Sequence, residues 1–303
     1  NRKYEHIDIV VKENIVYPSL CSDIYSSIRF VHNAFPGLNY NDIDLSINFL
    51  GYDLKAPLMI TGITGGHRSV IKINELLAKI AEKYGIAIGV GSQRAMLETK
   101  SSEIIESYTV VRKVARNVPV IGNIGINILS KIDLRSLIEV LDKLNADALA
   151  IHLNPAQELI QPEGDTDFSN ALLDKVSELM DLINIPILIK EVGNGLSMEV
   201  VRLFHGLGIE IFDVAGACGT SWMAVEVYRA EKSGHKDKAL LGKKLGGWGI
   251  PTPLSVIEAR WAAPSSWIIA SGGVWDGYKA ALNIALGANM AGFALPILRA
   301  IIN

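Results

Sequence analysis

The alternation of short apolar runs with amphipathic stretches predicts an α/β protein, a (β/α)8 TIM barrel. Three observations carry that expectation. Eight short runs are apolar at both odd and even positions, the pattern of strands buried on both faces of an all-parallel sheet. They are LMITGI from Leu58, AIGVG from Ala87, VPVIGNI from Val118, ALAIHLN from Ala148, PILIKEV from Pro186, IEIFDVA from Ile209, SWIIASG from Ser266 and NMAGFAL from Asn289. The segments between them have helical period: in INELLAKIAEKYG, Ile73, Leu76, Leu77, Ile80 and Ala81 share one face. SEIIESYTVVRKVA, LRSLIEVLDKL and NALLDKVSELMDLI read the same way. Strands alternating with helices fit either an open doubly wound sheet or a closed barrel, and a count of eight favours closure.

The 303 residues suit one barrel, and no composition shift marks a linker, so 1–303 reads as a single domain. Residues 1–55 precede the first core strand and are expected to cover the barrel bottom or reach a neighbour. Residues 234–249 (GHKDKALLGKKLGGWG) interrupt the sixth repeat with lysine and glycine, which predicts a mobile loop.

Bulk chemistry excludes several classes. Lys plus Arg number 29 against 32 Asp plus Glu, a net charge of −3, so no basic excess points to nucleic acid. The start NRKYEHIDIV is too polar for a signal peptide. The apolar stretch from Ala280 to Ile302 is broken by Asn283, Asn289, Pro296 and Arg299, which argues against a membrane span. Cys21 and Cys218 lie far apart without metal-ligand spacing. They are expected to be reduced thiols in a cytoplasmic protein rather than a disulfide framework or a zinc site.

In such barrels the active site lies at the carboxyl ends of the strands. Here those ends are Thr61-Gly62-Ile63-Thr64-Gly65-Gly66, Gly91-Ser92-Gln93-Arg94, Asn123, His152-Leu153-Asn154, Lys190-Glu191, Asp213 with Gly216 to Thr220, Ser271-Gly272-Gly273 and Ala294-Leu295. A lone polar residue at a strand end more often caps a loop. Polar or glycine-rich groups at nearly every end point instead to one ligand site. Ser271-Gly272-Gly273 follows the seventh strand, where a phosphate often binds such barrels, and glycines let backbone N–H groups reach phosphate oxygens. No GxGxxG follows a strand, which excludes a Rossmann dinucleotide site.

Lys190 ends an apolar strand, where an ammonium needs a partner. It can pair with Glu191 as plain structure, form a Schiff base, or sit at the N1 edge of a flavin. Spacing alone leaves the three open. His152 and Asn154 face the same way, and Gln157 and Glu158 follow on the loop. With Glu163 and Asp165 in QPEGD, the group suits Mg²⁺ or is simply a solvated acidic loop. Arg2, Lys3 and His6 form a basic group, either a solvated tail or, folded over the mouth, a diphosphate clamp. Trp222, Trp248, Trp261, Trp267 and Trp275 read mainly as packing.

These motifs resemble the type 2 isopentenyl-diphosphate isomerases over essentially the whole chain. The resemblance runs through RKYEHI, APLMITGITGG, GVGSQRAMLE, IGNIG, HLNPAQELIQPEGDTDF, IKEVGNGLS, FDVAGACGTSW, WGIPT, SGGV and GFALP. HLNPxQE with QPEGD is its most specific part. Gly62 stands where a serine is common, and Cys218 where a glycine is usual.

The resemblance implies interconversion of isopentenyl and dimethylallyl diphosphate with reduced FMN and Mg²⁺, NADPH as the usual reductant, and a tetrameric or octameric homo-oligomer. It implies FMN contacts from Thr61, Gly62, Ile63, Thr64, Ser92, Asn123, Lys190 and Thr220. The FMN phosphate would lie on Gly272, Gly273, Ala294 and Leu295. The substrate would lie on Arg2, Lys3, His6, Ser92, Gln93, Arg94, His152, Asn154 and Gln157. Glu158 would ligate the metal, and Gln157 and Lys190 would serve catalysis. The rival readings are an FMN oxidoreductase on the same barrel, a Schiff-base aldolase through Lys190, and a silent FMN- or phosphate-binding protein.

Overall fold

A computed structural model describes residues 2–302 apart from 14 and 17, with the side chains of 2–4, 18–20 and 22 outside the description. An antiparallel hairpin, β1 (Ile47–Phe49) and β2 (Tyr52–Leu54), precedes eight parallel strands. These are β3 (Leu58–Ile60), β4 (Ala87–Gly89), β5 (Val120–Gly125), β6 (Ala148–His152), β7 (Ile187–Lys190), β8 (Ile211–Asp213), β9 (Trp267–Ala270) and β10 (Met290–Phe293). They close into a barrel in chain order, with β10 beside β3. All eight apolar runs become its strands. β5 is buried along its whole length, which is why these runs lack the alternation of a half-exposed strand.

Local chemistry sets the helix ends. In Leu134–Leu144 the Asp133 side chain accepts the Arg135 N–H at the start, and Asn145 takes the left-handed conformation at the end. Leu134, Leu137, Val140, Leu141 and Leu144 of that helix are buried. Each such side chain contributes roughly 1.5–3 kcal/mol by leaving water.

The first 55 residues split between the two barrel ends. The hairpin covers the bottom as expected: Phe49 stacks on Trp267 at 5.0 Å, and Tyr52 Oη donates to Asp147 Oδ1 at 2.9 Å. Asp147 also accepts the Val120 N–H at 2.7 Å and pairs with Arg112, so a half-buried carboxylate is fully engaged there. Helix Arg2–Lys12 lies instead at the opposite end, over the mouth, where His6, Ile7 and Val10 reach the cavity.

Two expectations are corrected. The segment 234–249 contains a helix, Lys236–Lys244, rather than forming only a loop. Gly242 lets it approach its neighbours: a Cβ there would stand 2.4 Å from Val227 Cγ2 and 2.9 Å from Ile160 Cγ2. The cysteines are not free thiols. Cys21 and Cys218 are buried and joined in a disulfide, with Cα atoms 5.3 Å apart and the two residues 197 positions apart in sequence. Sequence distance concealed the pair because the segment before it crosses the barrel mouth, where Val16 bridges Thr220 and Ser221 N–H donates to the Ile15 carbonyl at 2.8 Å. A cross-link closing so long a loop constrains the unfolded chain, so Cys218→Ser is expected to lower stability by about 2–4 kcal/mol. Thermal unfolding with and without a thiol reductant checks this. The wild-type midpoint should fall on reduction and that of the variant should not move.

Candidate active site

One cavity opens at the carboxyl ends of the barrel strands. Thr61, Gly62, Ile63 and Thr64 follow β3, Ser92 and Arg94 follow β4, and Asn123 lies on β5. His152 ends β6 and Asn154 follows it. Lys190 ends β7, Thr220 follows β8, Gly272 and Gly273 follow β9, and Ala294 and Leu295 follow β10. Gln157 and Glu158 enter from helix Pro155–Ile160, and His6 from helix Arg2–Lys12. The side chains of Arg2 and Lys3 lie outside the described residues. Gln93 is the exception to the expected set. It is fully buried outside the cavity lining, and its Oε1 accepts the Asn123 N–H at 3.0 Å. From that side of the strand end its side chain supports Asn123.

The glycines after β9 form a cradle. Gly272 and Gly273 have φ of +91° and +76°, a conformation that favours glycine. A Cβ on Gly219 would meet the Gly273 nitrogen at 2.5 Å, so the loops after β8 and β9 touch through backbone. Among the described residues, the N–H groups of Gly272 and Gly273 have no backbone acceptor. Helix Leu295–Ile302 begins beside them, adding its positive dipole end.

Acid–base groups flank this cradle. Lys190 is buried, and its Nζ donates to the Glu191 carbonyl at 2.5 Å and lies 3.7 Å from Asp213 Oδ2. Burial pushes the Glu191 carboxyl up to about 7, against the pull of the Asn194, Val192 and Gly193 N–H groups. Burial likewise raises Asp213, against Lys190 and the Ser271 hydroxyl, which donates to Oδ1 at 2.5 Å. His152 Nδ1 lies 2.7 Å from Asn123 Oδ1, and Asn123 Nδ2 donates to the Val90 carbonyl at 3.1 Å. That amide orientation makes Nδ1 the protonated, donating nitrogen.

A second network runs across the mouth. Asn154 Nδ2 donates to Glu158 Oε1 at 2.9 Å and to Gln157 Oε1 at 3.3 Å. Gln157 Nε2 donates to Glu226 Oε1 at 3.3 Å. Glu226 is fully buried on helix Trp222–Lys232, with His6 Nε2 at 2.9 Å and Arg229 Nη1 at 2.6 Å. Burial works to raise the Glu226 carboxyl, but His6 and Arg229 outweigh it and hold the group below its ordinary value. The His6 ring meets Trp222 edge-on at 5.1 Å, and Trp222 lines the cavity, as does Trp275. These two tryptophans are cavity walls as well as packing, whereas Trp248 and Trp261 are exposed. Sequence reasoning passed over Glu226 because it stands three residues before Arg229, like a surface ion pair. The signal was its setting, MAVEVY, a carboxylate inside the apolar face of its helix.

The donor set suits a phosphorylated cofactor and one divalent cation. Two positive-φ glycines and a helix N-terminus fit a phosphate, and the buried Thr64 Oγ1, without a hydrogen-bond partner, fits a polar ring edge. Glu158 Oε2 accepts the Asp165 N–H at 2.7 Å and Gln161 Nε2 at 3.2 Å. Among the described residues no three His, Cys, Asp or Glu side chains gather into a metal cage. A single carboxylate is the donor set of a Mg²⁺ that takes its other ligands from phosphate and water. Glu163 and Asp165 are engaged elsewhere, in ion pairs with Arg229 and Lys131.

No family model matches the chain. Its full length is similar to curated relatives named isopentenyl-diphosphate delta-isomerase. That of Aeropyrum pernix is 45% identical over 100% of this chain and 79% of its own. That of Ignicoccus hospitalis is 43% identical over 99% and 82%, and that of Metallosphaera sedula 40% over 98% and 80%. Among solved structures, a mandelate oxidase variant carrying an FMN adduct superposes with a TM-score of 0.56 at 13% identity, covering 99% of this chain and 80% of that one. That likeness is one of fold: a barrel built on the same plan. Identity at 40–45% over nearly the whole chain settles kinship: the chain belongs to the type 2 isopentenyl-diphosphate isomerase family.

Proposed function

We propose that the chain interconverts isopentenyl and dimethylallyl diphosphate in isoprenoid biosynthesis, with FMN in its reduced form and Mg²⁺. The observation that carries this is the meeting, in one cavity, of a glycine phosphate cradle, a buried lysine and the Gln157–Glu226–His6 network. The reaction moves a double bond by gaining one proton and losing another, with no net redox change. Its hard part is positive charge on a small apolar group. Reduced FMN, when bound, supplies an electron-rich ring that stabilises that charge and a proton at N5.

The chain's own residues do the rest. Gly272, Gly273, Ala294 and Leu295 hold the cofactor phosphate, while Thr61, Gly62, Ile63, Thr64, Ser92, Asn123 and Thr220 bound its ring. Lys190, on the cavity wall, would supply positive charge to the ring. His6, Arg94, His152 and Asn154 hold the substrate diphosphate, together with Arg2 and Lys3, and Glu158 holds Mg²⁺ against it. That anchoring orients the short apolar tail. Gln157 and the carboxylate behind it, Glu226, bear on the reacting end, where Trp222 excludes water and offers a π face to developing charge. Residues 1–303 act as one barrel domain whose N-terminal segment covers the mouth.

The test is anaerobic incubation of the protein with FMN, Mg²⁺, NADPH and isopentenyl diphosphate. Dimethylallyl diphosphate should form, and should not form while FMN stays oxidised. A bound, reducible flavin without product would sink the reading in favour of an FMN oxidoreductase, whose mark is substrate-dependent dye reduction. Glu158→Gln should raise the Mg²⁺ requirement for half-maximal turnover on the order of tenfold or more.

NADPH as reductant and a cytoplasmic setting go with the same proposal; the described residues contain no helix long and apolar enough to cross a membrane. A homo-oligomer, tetramer or octamer, is supported by the segment between helix Pro18–Ser27 and β1, where Val31, Phe35 and Tyr40 are 94%, 86% and 83% exposed. Apolar side chains so placed gain by meeting a second copy. Light scattering should show Phe35→Glu to be the smaller particle.

A further inference from the structure

We infer that Asp213 is a positioning residue that holds the Lys190 ammonium in place at the cavity wall. The inference rests on the reading that FMN binds over Lys190.

The two residues are partners in register on adjacent strands, β7 and β8. Lys190 lines the cavity, whereas Asp213, 1% exposed, stands behind it out of reach of a ligand. A carboxylate so deeply buried is costly unless its charge is used. The Ser271 hydroxyl satisfies Oδ1, but Oδ2 has no hydrogen bond among the described residues and faces the Lys190 ammonium at 3.7 Å. A purely structural cap for Ser271 needs only one acceptor, which a neutral asparagine supplies.

The other charged or titratable neighbours do not take this role. On β6, His152 is the register partner of Lys190, and its Nδ1 is engaged by Asn123. At the end of β7, the Glu191 carboxylate accepts the N–H groups of Val192, Gly193 and Asn194 at 2.6, 2.7 and 2.5 Å, so its charge is spent on that loop. From β9 the contributing group is the Ser271 hydroxyl, which is neutral. Asp213 Oδ2 is the one carboxylate oxygen within 4 Å of the ammonium among the described residues. Without it the buried ammonium would keep the Glu191 carbonyl as its hydrogen-bond partner and be free to turn from the cavity wall, taking with it the positive charge that favours an anionic reduced flavin.

The experiment uses FMN-loaded protein and reads the two-electron midpoint potential of the bound flavin and the pH at which its reduced form ionises. In Asp213→Asn the reduced form should be destabilised about tenfold or more, a fall of roughly 30 mV, and its ionisation should move to higher pH. Lys190→Met should reproduce the shift, and adding Asp213→Asn to it should change nothing further. Ser271→Ala, which frees Asp213 Oδ1, should shift both readings in the same direction by less, and serves if the asparagine variant does not fold. A potential that rises in Asp213→Asn would show its charge acting on the flavin directly and would overturn the inference. So would shifts that add in the double variant, or an unmoved Ser271→Ala. Failure of the wild-type chain to bind FMN would overturn the functional reading and this inference together. Bound FMN with an unshifted Asp213→Asn would overturn this inference alone.

Discussion

Glu226→Gln is expected to lower kcat by about 10²- to 10⁴-fold, the range of a positioned acid or base, with little change in the affinity for FMN. The substitution keeps the shape of a side chain that is fully buried among His6, Gln157 and Arg229 and removes only its charge and one acceptor. Because the carboxyl is held below its ordinary value of 4.5, it is ionised throughout the neutral range. Its contribution to stability is therefore present above that value and is lost as pH falls through the depressed one. Activity should share that acid limb, and the limb should vanish in Glu226→Gln. Gln157→Ala should also fall sharply, because it breaks the link between the carboxylate and the cavity. Steady-state rates taken from neutral pH down to about pH 3, through the range where carboxylates titrate, decide it. A variant with wild-type kcat would remove Glu226 from the proton-handling role.

Gly273→Ala is expected to weaken FMN binding by on the order of 10²-fold, the value of losing two hydrogen bonds to a charged phosphate. The added Cβ would lie 2.1 Å from the Cys218 carbonyl oxygen and 2.5 Å from the Cys218 Cβ. Both atoms are held: Cys218 is tied to Cys21, and Thr220, two residues on, is bridged to Val16. The residue's φ of +76° adds strain of about 1–2 kcal/mol for a side chain. The β9 loop must therefore move away, and its N–H groups leave the phosphate position. Fluorescence titration of FMN measures the loss. Gly277→Ala is the control, because a Cβ there meets nothing within 4 Å and affinity should not change.

Much of this architecture was legible in the sequence because strand burial writes itself plainly. Eight two-sided apolar runs such as Val120–Gly125 can hardly be anything but interior strands, and their ends locate the cavity. Residues at strand ends, such as Thr61, Asn123, His152 and Lys190, were found for that reason. What sequence left hidden was supplied by contacts between distant segments. The Cys21–Cys218 link depends on the path of the N-terminal segment, which no periodicity reveals. Glu226 lies within a helix, away from any strand end, and becomes visible only when His6 is placed on it from 220 positions away. Gln93 shows the converse case: it sits among strand-end residues, and its buried side chain braces the Asn123 backbone. The helix Lys236–Lys244 was concealed by glycine and lysine content, though Gly242 is there to allow close helix contact.

The position of the first helix has a consequence for the order in which the molecule is made. Helix Arg2–Lys12 is made well before the groups it rests on, Glu226 and the helix Leu295–Ile302. The barrel itself cannot close until β10 reaches β3. The first helix must therefore wait, undocked, while the intervening strands and helices are made. Contacts of such long sequence separation form slowly, and waiting apolar surface invites misassociation. Ile9 and Val10 are the side chains exposed to that risk, since they pack against Leu295, Leu298 and their neighbours only at the end. A nascent chain halted before residue 290 should bear an undocked first helix, open to protease, and docking should protect it only once the last strand has emerged.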